Sequence, residues 1–363
     1  MDDIVAILER SDRVHEIDIF ISGEETVKVL RAMQVPFPVL TDLQLSSYRG
    51  SGPVLPDSFL ARSAPHLRKL KLSAFPFPGL PKLLSSTTHL VELDLRDVTH
   101  SGYFPPEAII TALSTSKSLR ILFLFFQSPQ SGPDSASRRP SPPVLSIFPV
   151  LTELRFKGVT EYLEDLVALI DTPQLINLDI RLFNQILFDT PQLVQFIRRT
   201  PKLDALEIAR LLFTHSGARV ALFSPTSGYR GFEVEIRCIE SDWQVSSMEQ
   251  VCTSCSPVIS TLENLYIKDE EAKWKDNIEN VLWLELFQPF TAVKNLYLGK
   301  NIALRVVPAL QELVGGRTME VLPALQNIFL AGRKLSGLPK EGIGKFVTSR
   351  QAAGHPIVIT RWK

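Results

Sequence analysis

The chain has 363 residues, with 39 Lys and Arg balanced by 39 Asp and Glu, so its formal net charge is zero. A balanced charge excludes a general nucleic-acid binder, which needs a surplus of cations to neutralise phosphates. With 45% hydrophobic and 21% charged residues the composition is that of a folded globular chain. Three cysteines are too few for a disulfide framework and point to a reducing, cytoplasmic or nuclear setting. No apolar run approaches the ~18 residues of a membrane helix. Asp2 and Asp3 stand where a signal peptide would carry basic residues.

One short pattern recurs from the N-terminus onwards: apolar, two residues, apolar, one residue, apolar. It reads Val14-His-Glu-Ile17-Asp-Ile19, Leu40-Thr-Asp-Leu43-Gln-Leu45, Leu67-Arg-Lys-Leu70-Lys-Leu72 and Leu90-Val-Glu-Leu93-Asp-Leu95. Copies follow at Leu119, Leu151, Leu175 and Leu203, then at Leu262, Val293 and Leu325. Successive first positions are 23 to 32 residues apart, except across a gap after Leu203, where Val234-Glu-Ile236 supplies a weaker copy. Alternation at the fourth and sixth positions predicts a short strand with one buried face. Between copies, helical spacing is expected at Asp57–Arg62, Glu107–Leu113, Leu163–Ile170, Gln192–Arg199 and Met248–Cys252. Pro65, Pro173 and Pro201 are expected to stop helices just before the next strand.

Strand, loop, helix and proline stop, repeated about 12 times, predict an α/β leucine-rich-repeat solenoid over residues 1–363. Its expected form is an irregular right-handed horseshoe, with parallel strands on the concave face and helices on the convex face. The turn positions after the strands hold Tyr48, Phe75, Val98, Val159 and Phe183 rather than Asn, so no Asn ladder is expected there. Residues 128–143, rich in Ser and Pro, are expected to form a disordered loop, with Arg138 and Arg139 before Ser141 as a weak kinase match. Ile4, Val5, Ile7 and Leu8 form an apolar N-terminal helix with no polar cap, so an upstream segment or another chain is expected to cover that end.

The irregular repeats resemble those of fungal F-box/leucine-rich-repeat proteins of mushroom-forming species. Residues 345–363 resemble the ending common there: a helix with Arg350-Gln351, a Gly354-His355-Pro356 turn, a last strand and Trp362. Members of that family usually open with an F-box that docks on the Skp1 adaptor of a cullin ubiquitin ligase. No such module precedes Val14 here, so the resemblance implies only the repeat half, a surface that selects a protein partner.

No catalytic, cofactor or metal motif is expected. Cys252-Thr-Ser-Cys255 is a C-x-x-C pair without two further ligands at useful spacing, and is read as buried apolar packing. Gly342-Ile-Gly344-Lys345 lacks the hydroxyl residue and the first glycine of a phosphate loop. His355 is read as a turn residue, and the mixed charges from Asp269 to Asp276 as a solvated loop.

The fifth motif position is expected to point outwards along the concave sheet. The resulting row is Asp18, Gln44, Lys71, Asp94, Phe123, Arg155, Asp179, Glu207, Glu235, Tyr266, Tyr297 and Phe329. Asp94 through Phe329 form the expected partner-binding set. Within it, Asp179, Glu207 and Glu235 would stack as like charges, answered either by Arg155, Arg181 and Arg237 or by a basic partner segment. Tyr266, Tyr297 and Phe329 form either an exposed aromatic hot spot or a ladder covered by the C-terminal segment with Trp362. The expectation is a non-enzymatic protein-binding module, either a ubiquitin-ligase recognition subunit or a ubiquitin-independent scaffold, with no nucleic-acid or membrane partner.

Overall fold

The computed structural model describes residues 2–21, 25–47, 52–129, 145–183, 188–204, 206–225, 231–270, 274, 278–313, 317, 319–331 and 340–362. Apart from its first two residues, the expected loop at 128–143, with Arg138, Arg139 and Ser141, lies outside the described residues, as do Tyr48, Lys273, Lys275 and Asp276. The strands are β1 (Glu16–Ile21), β2 (Asp42–Ser47), β3 (Lys69–Ser73), β4 (Glu92–Val98), β5 (Ile121–Phe126), β6 (Ser146–Ile147), β7 (Glu153–Gly158) and β8 (Ile170–Asp171). They continue as β9 (Asn177–Leu182), β10 (Ile208–Thr214), β11 (Gly217–Phe223), β12 (Gly231–Arg237), β13 (Asn264–Glu270), β14 (Asn295–Leu298), β15 (Asn327–Ala331) and β16 (Val358–Trp362). Every clear motif copy except the one at Leu203 begins its strand at the third motif position. The chain forms two compact units, Met1–Asp179 with Gln195–Lys202, and Ile180–Val194 with Leu203–Lys363.

In the first unit β1, β2, β3, β4, β5 and β7 run in parallel, each paired with the next. The motif explains the pairing. The carbonyl of the second position accepts two N–H groups from the following copy: His15 O takes Thr41 and Asp42, and Thr41 O takes Arg68 and Lys69. Arg68 O then takes Val91 and Glu92, and Val91 O takes Arg120 and Ile121. The leading leucines beneath this relay, Leu40, Leu67, Leu90, Leu119 and Leu151, are buried, as are the fourth- and sixth-position residues. Burying one such side chain contributes about 1.5–3 kcal/mol, so apolar packing outweighs any single polar contact in fixing the register. On the helix-covered side, helix Leu80–Leu84 packs on Pro106–Leu113, which packs on Thr160–Ala168. Arg199 donates to the carbonyls of Val167 and Ile170 (2.7 Å for Ile170), satisfying orphan acceptors at the end of that last helix.

The second unit departs from the parallel pattern. β12, β11 and β10 form an antiparallel meander, and β10 then pairs in parallel with β13, followed by β14, β15 and β16. Val234-Glu-Ile236 lies on β12, the far strand of the meander, which two reversals return to the direction of β10 and β13. Glycine is required where this meander closes. A Cβ on Gly217 would stand 2.4 Å from Ile236 O, and one on Gly231 2.1 Å from Leu222 O. Helices Ser241–Ser254, Asn280–Phe287, Lys300–Gln311 and Lys340–Ala352 pack in succession behind the strands.

Two local expectations are corrected. Asp57–Arg62 is not an α-helix: Leu60, Ala61 and Arg62 take φ of 51°, 49° and 61°, a left-handed turn. That conformation is costly for non-glycine residues. It is held by burial of Phe59 and Leu60 and by the Leu60 N–H bond to Met33 O at 2.8 Å. The helix Pro191–Arg198 ends ahead of Pro201, but Pro201 then opens a short helix, Pro201–Asp204, which contains Leu203. Register places Ala209 beside Leu265, Arg210 beside Tyr266 and Leu211 beside Ile267. The working copy is thus Leu206-Glu-Ile-Ala209-Arg-Leu211, three residues later than expected.

No helix among the described residues is long and apolar enough to cross a membrane. Cys252 and Cys255 are fully buried with free thiols, and burial pushes the Cys252 thiol well above its ordinary range.

Candidate partner-binding face

The solvent-facing side of the sheet carries the third, fifth and seventh motif positions. In the first unit the expected fifth-position row is a physical stripe, with Asp18, Gln44, Lys71, Asp94, Phe123 and Arg155 in register. It is not uniformly exposed, however. Asp94 is 5% exposed because Arg96 folds onto it with two hydrogen bonds of 2.9 Å. Phe123 is 8% exposed beneath the Arg155 guanidinium, 4.7 Å from its ring centre. Asp179 is also buried, at 8%.

Other charges on this face are matched across strands or along them: Lys69 to Asp42 and Lys71 to Glu92, both at 2.8 Å, and Arg155 to Glu153. Such partly exposed pairs contribute little stability, ~0–1 kcal/mol each. Their consequence is that a hollow of about 290 Å³ among Gln44, Ser46, Lys71, Asp94 and Arg96 offers cations already matched by carboxylates.

The expected stack of Asp179, Glu207 and Glu235 does not form. β11 lies between the strands of Glu207 and Glu235, and Glu207 precedes β10 rather than belonging to it. Arg210 occupies the place in the row expected for Glu207. Glu235 meets Arg219 at 3.1 Å and Arg181 and Arg237 at 3.9 Å, so its charge is answered within the chain.

In the second unit the three aromatic residues of the expected row fall in one line. Tyr266, Tyr297 and Phe329 face one another across β13, β14 and β15 in direct register. Their rings stack at 4.1 Å and 4.4 Å, with interplanar angles of 7° and 8°. Trp362 packs edge-on against Tyr297 and Tyr266, at 5.5 and 5.9 Å. Small residues permit this reach: Trp362 pairs in register with Ala331, and its indole N–H donates to Leu298 O, two strands away. The C-terminal segment therefore buttresses one side of the ladder, and all three rungs remain partly exposed. Burial, with the hydrogen bond to Tyr297, pushes the Tyr266 phenol up to about 12.

A second ladder lies outside the expected row. The third motif position is Asn in Leu262-Glu-Asn264, Val293-Lys-Asn295 and Leu325-Gln-Asn327. Asn295 donates to Asn264 at 2.9 Å and Asn327 to Asn295 at 2.8 Å, beside the aromatic rungs. The three-fold recurrence of Asn one residue before the fourth-position apolar residue was the signal.

No protein-family model matches the chain, and no curated protein matches it. Among solved structures the chain is similar to the crystal structure of the leucine-rich repeat-containing protein LegL7 from Legionella pneumophila. The two share 12% identity at a TM-score of 0.32, over 97% of this chain and 94% of that one.

Proposed function

We propose that the chain is a protein-binding repeat module whose partner lies across the solvent-facing side of the sheet in the second unit. The observation that carries this reading is the stack of Tyr266, Tyr297 and Phe329, large rings left partly open to solvent. Aromatic side chains bury much area at low entropic cost and dominate interface energetics. The finer reading is a leucine-rich-repeat solenoid similar to the substrate-recognition repeats of an F-box ubiquitin ligase. It is supported by the repeat itself and by the ending, whose residues have identifiable roles. Arg350 ties the last helix to residues 321–323, Gly354 adopts φ 83°, and Trp362 packs on the ladder. A ubiquitin-independent scaffold is the second reading, and it differs from the first in whether a ligase adaptor accompanies the chain.

The test is affinity purification of the tagged chain, wild type beside Tyr266→Ala/Tyr297→Ala. A partner retained by the wild type and lost by the folded double variant is the expected result. Capture undiminished in a double variant with native circular dichroism overturns the role of the ladder. Recovery of Skp1 and a cullin selects the ligase reading; recovery of the partner without them selects the scaffold.

A further inference from the structure

Beside the first rung of the ladder the sheet opens into a cavity of about 330 Å³, lined by Ile208, Arg210, Phe223, Ser224, Tyr266, Lys268 and Trp362, among others. Register explains its composition. Arg210 and Tyr266 are direct neighbours on β10 and β13, Ile208 pairs with Phe223 on β11, and Lys268 follows Tyr266 by two residues on the same face. Each cation lies against an aromatic wall: Arg210 is 5.1 Å from the Phe223 ring centre, and the Lys268 ammonium 4.8 Å from that of Trp362. Among the described residues Lys268 forms no ion pair. In this Lys268 differs from Lys71 in the hollow of the first unit, which is held by Glu92.

We propose that this cavity receives an aspartate or glutamate side chain of an extended partner segment, whose neighbouring apolar side chains lie along the aromatic ladder. The proposal rests on the protein-binding reading above and names the chemistry of the partner. Three observations carry it. The lining brings two positive charges onto low-dielectric aromatic walls, where a carboxylate is attracted more strongly than in water. The volume is near the lower end of the ~300–1,000 Å³ of small-ligand pockets, which suits a side chain better than a cofactor. Tyr266 is at once a wall of the cavity and the first rung of the stack, so an occupant continues onto Tyr297 and Phe329. Two strand spacings span about 10 Å, room for roughly three residues of extended chain.

The experiment is selection of a random-peptide display library on the purified full chain, followed by affinity measurement on synthetic peptides. The expected result is enrichment of sequences that place Asp or Glu next to an aromatic or branched aliphatic residue. Replacing that acid by its amide should weaken binding about tenfold or more, as loss of a charge-assisted hydrogen bond does. Lys268→Gln should reproduce the loss, whereas Lys202→Gln, an exposed lysine bonded to Gln174, should leave affinity unchanged. Arg210→Gln/Lys268→Glu should redirect selection towards Lys- and Arg-containing peptides, a gain that misfolding cannot mimic. Enrichment of uncharged or basic peptides by the wild type, or of phosphopeptides or oligonucleotides over carboxylate peptides, overturns the acidic-segment proposal but leaves the ladder as a binding face. Enrichment of nothing overturns both.

Discussion

Arg350 holds its Nη2 2.5 Å from the carbonyl oxygen of Leu322, a residue whose backbone sits at φ 49°. The same guanidinium also donates to Val321 O, Pro323 O and the Met319 sulfur, and the side chain is fully buried. One cation thus ties the helix Lys340–Ala352 to the loop that leads into β15.

Replacing Arg350 by Met keeps the volume but leaves several buried carbonyls without donors. Unsatisfied buried polar groups cost about 1–3 kcal/mol each, so Arg350→Met should destabilise the second unit by about 3 kcal/mol or more. Urea denaturation should show a fall in midpoint, and hydrogen exchange should show lost protection in β16. Unchanged stability would mean that water replaces the guanidinium without penalty.

The Tyr266 phenol is pushed up to about 12 from an ordinary value of 10.0 by burial and by its bond to Tyr297. A folded value above the unfolded one gives stabilisation that is complete below pH 10 and fades as pH rises towards 12. Ultraviolet titration of the phenolates should show Tyr266 titrating late, as does Tyr162, whose phenol burial also pushes well up, and Tyr297→Phe should bring the Tyr266 midpoint down.

The two tryptophans at Trp362 and Trp283 should respond unequally to truncation. Trp283 is fully buried against Phe213, so Trp283→Ala should cost about 4 kcal/mol, as for large core aromatics. Trp362 is only half-buried, so Trp362→Ala should cost about 2 kcal/mol and abolish the near-ultraviolet dichroism of the stack. Equal losses in thermal melts would contradict this ranking.

Cys252 and Cys255 should not react with a thiol-specific disulfide reagent in the native state, because both are fully buried and the Cys252 thiol is raised by burial. Modification should follow global unfolding, with a rate that tracks denaturant. Fast native labelling of either would show that the helix Ser241–Ser254 opens locally.

Gly231→Ala tests the meander. Its Cβ would meet Leu222 O, a backbone atom that the β11 ladder holds in place, and overpacking of this kind costs about 1–3 kcal/mol.

What could be read in advance was set by how strongly each residue declares its environment. Leucines at Leu40, Leu67, Leu90, Leu151 and Leu262 mark strands because only a buried stripe tolerates that spacing, and the strands lie there. The copy at Leu203 misled because two overlapping frames fit the template, and the true one uses Ala209, a weak apolar signal. Glu207 was placed in the row by that wrong frame, and Arg210 was overlooked by it. The left-handed turn at Leu60–Arg62 was illegible because tertiary burial, not local preference, holds it. Asp94 and Phe123 point to the expected side, yet their burial depends on which neighbour folds over them, and alternation says nothing of that.

The carbonyls of His15, Thr41, Arg68 and Val91, each shared by two N–H groups of the next copy, fix only where a strand begins. The chain between one strand and the next start is under no such constraint, and its length varies here by nine residues, between 23 and 32 per copy. Insertions and deletions can therefore accumulate in the helical arcs while the side chains that a partner meets keep their neighbours. A family built on this plan could diversify its back without rewriting its face.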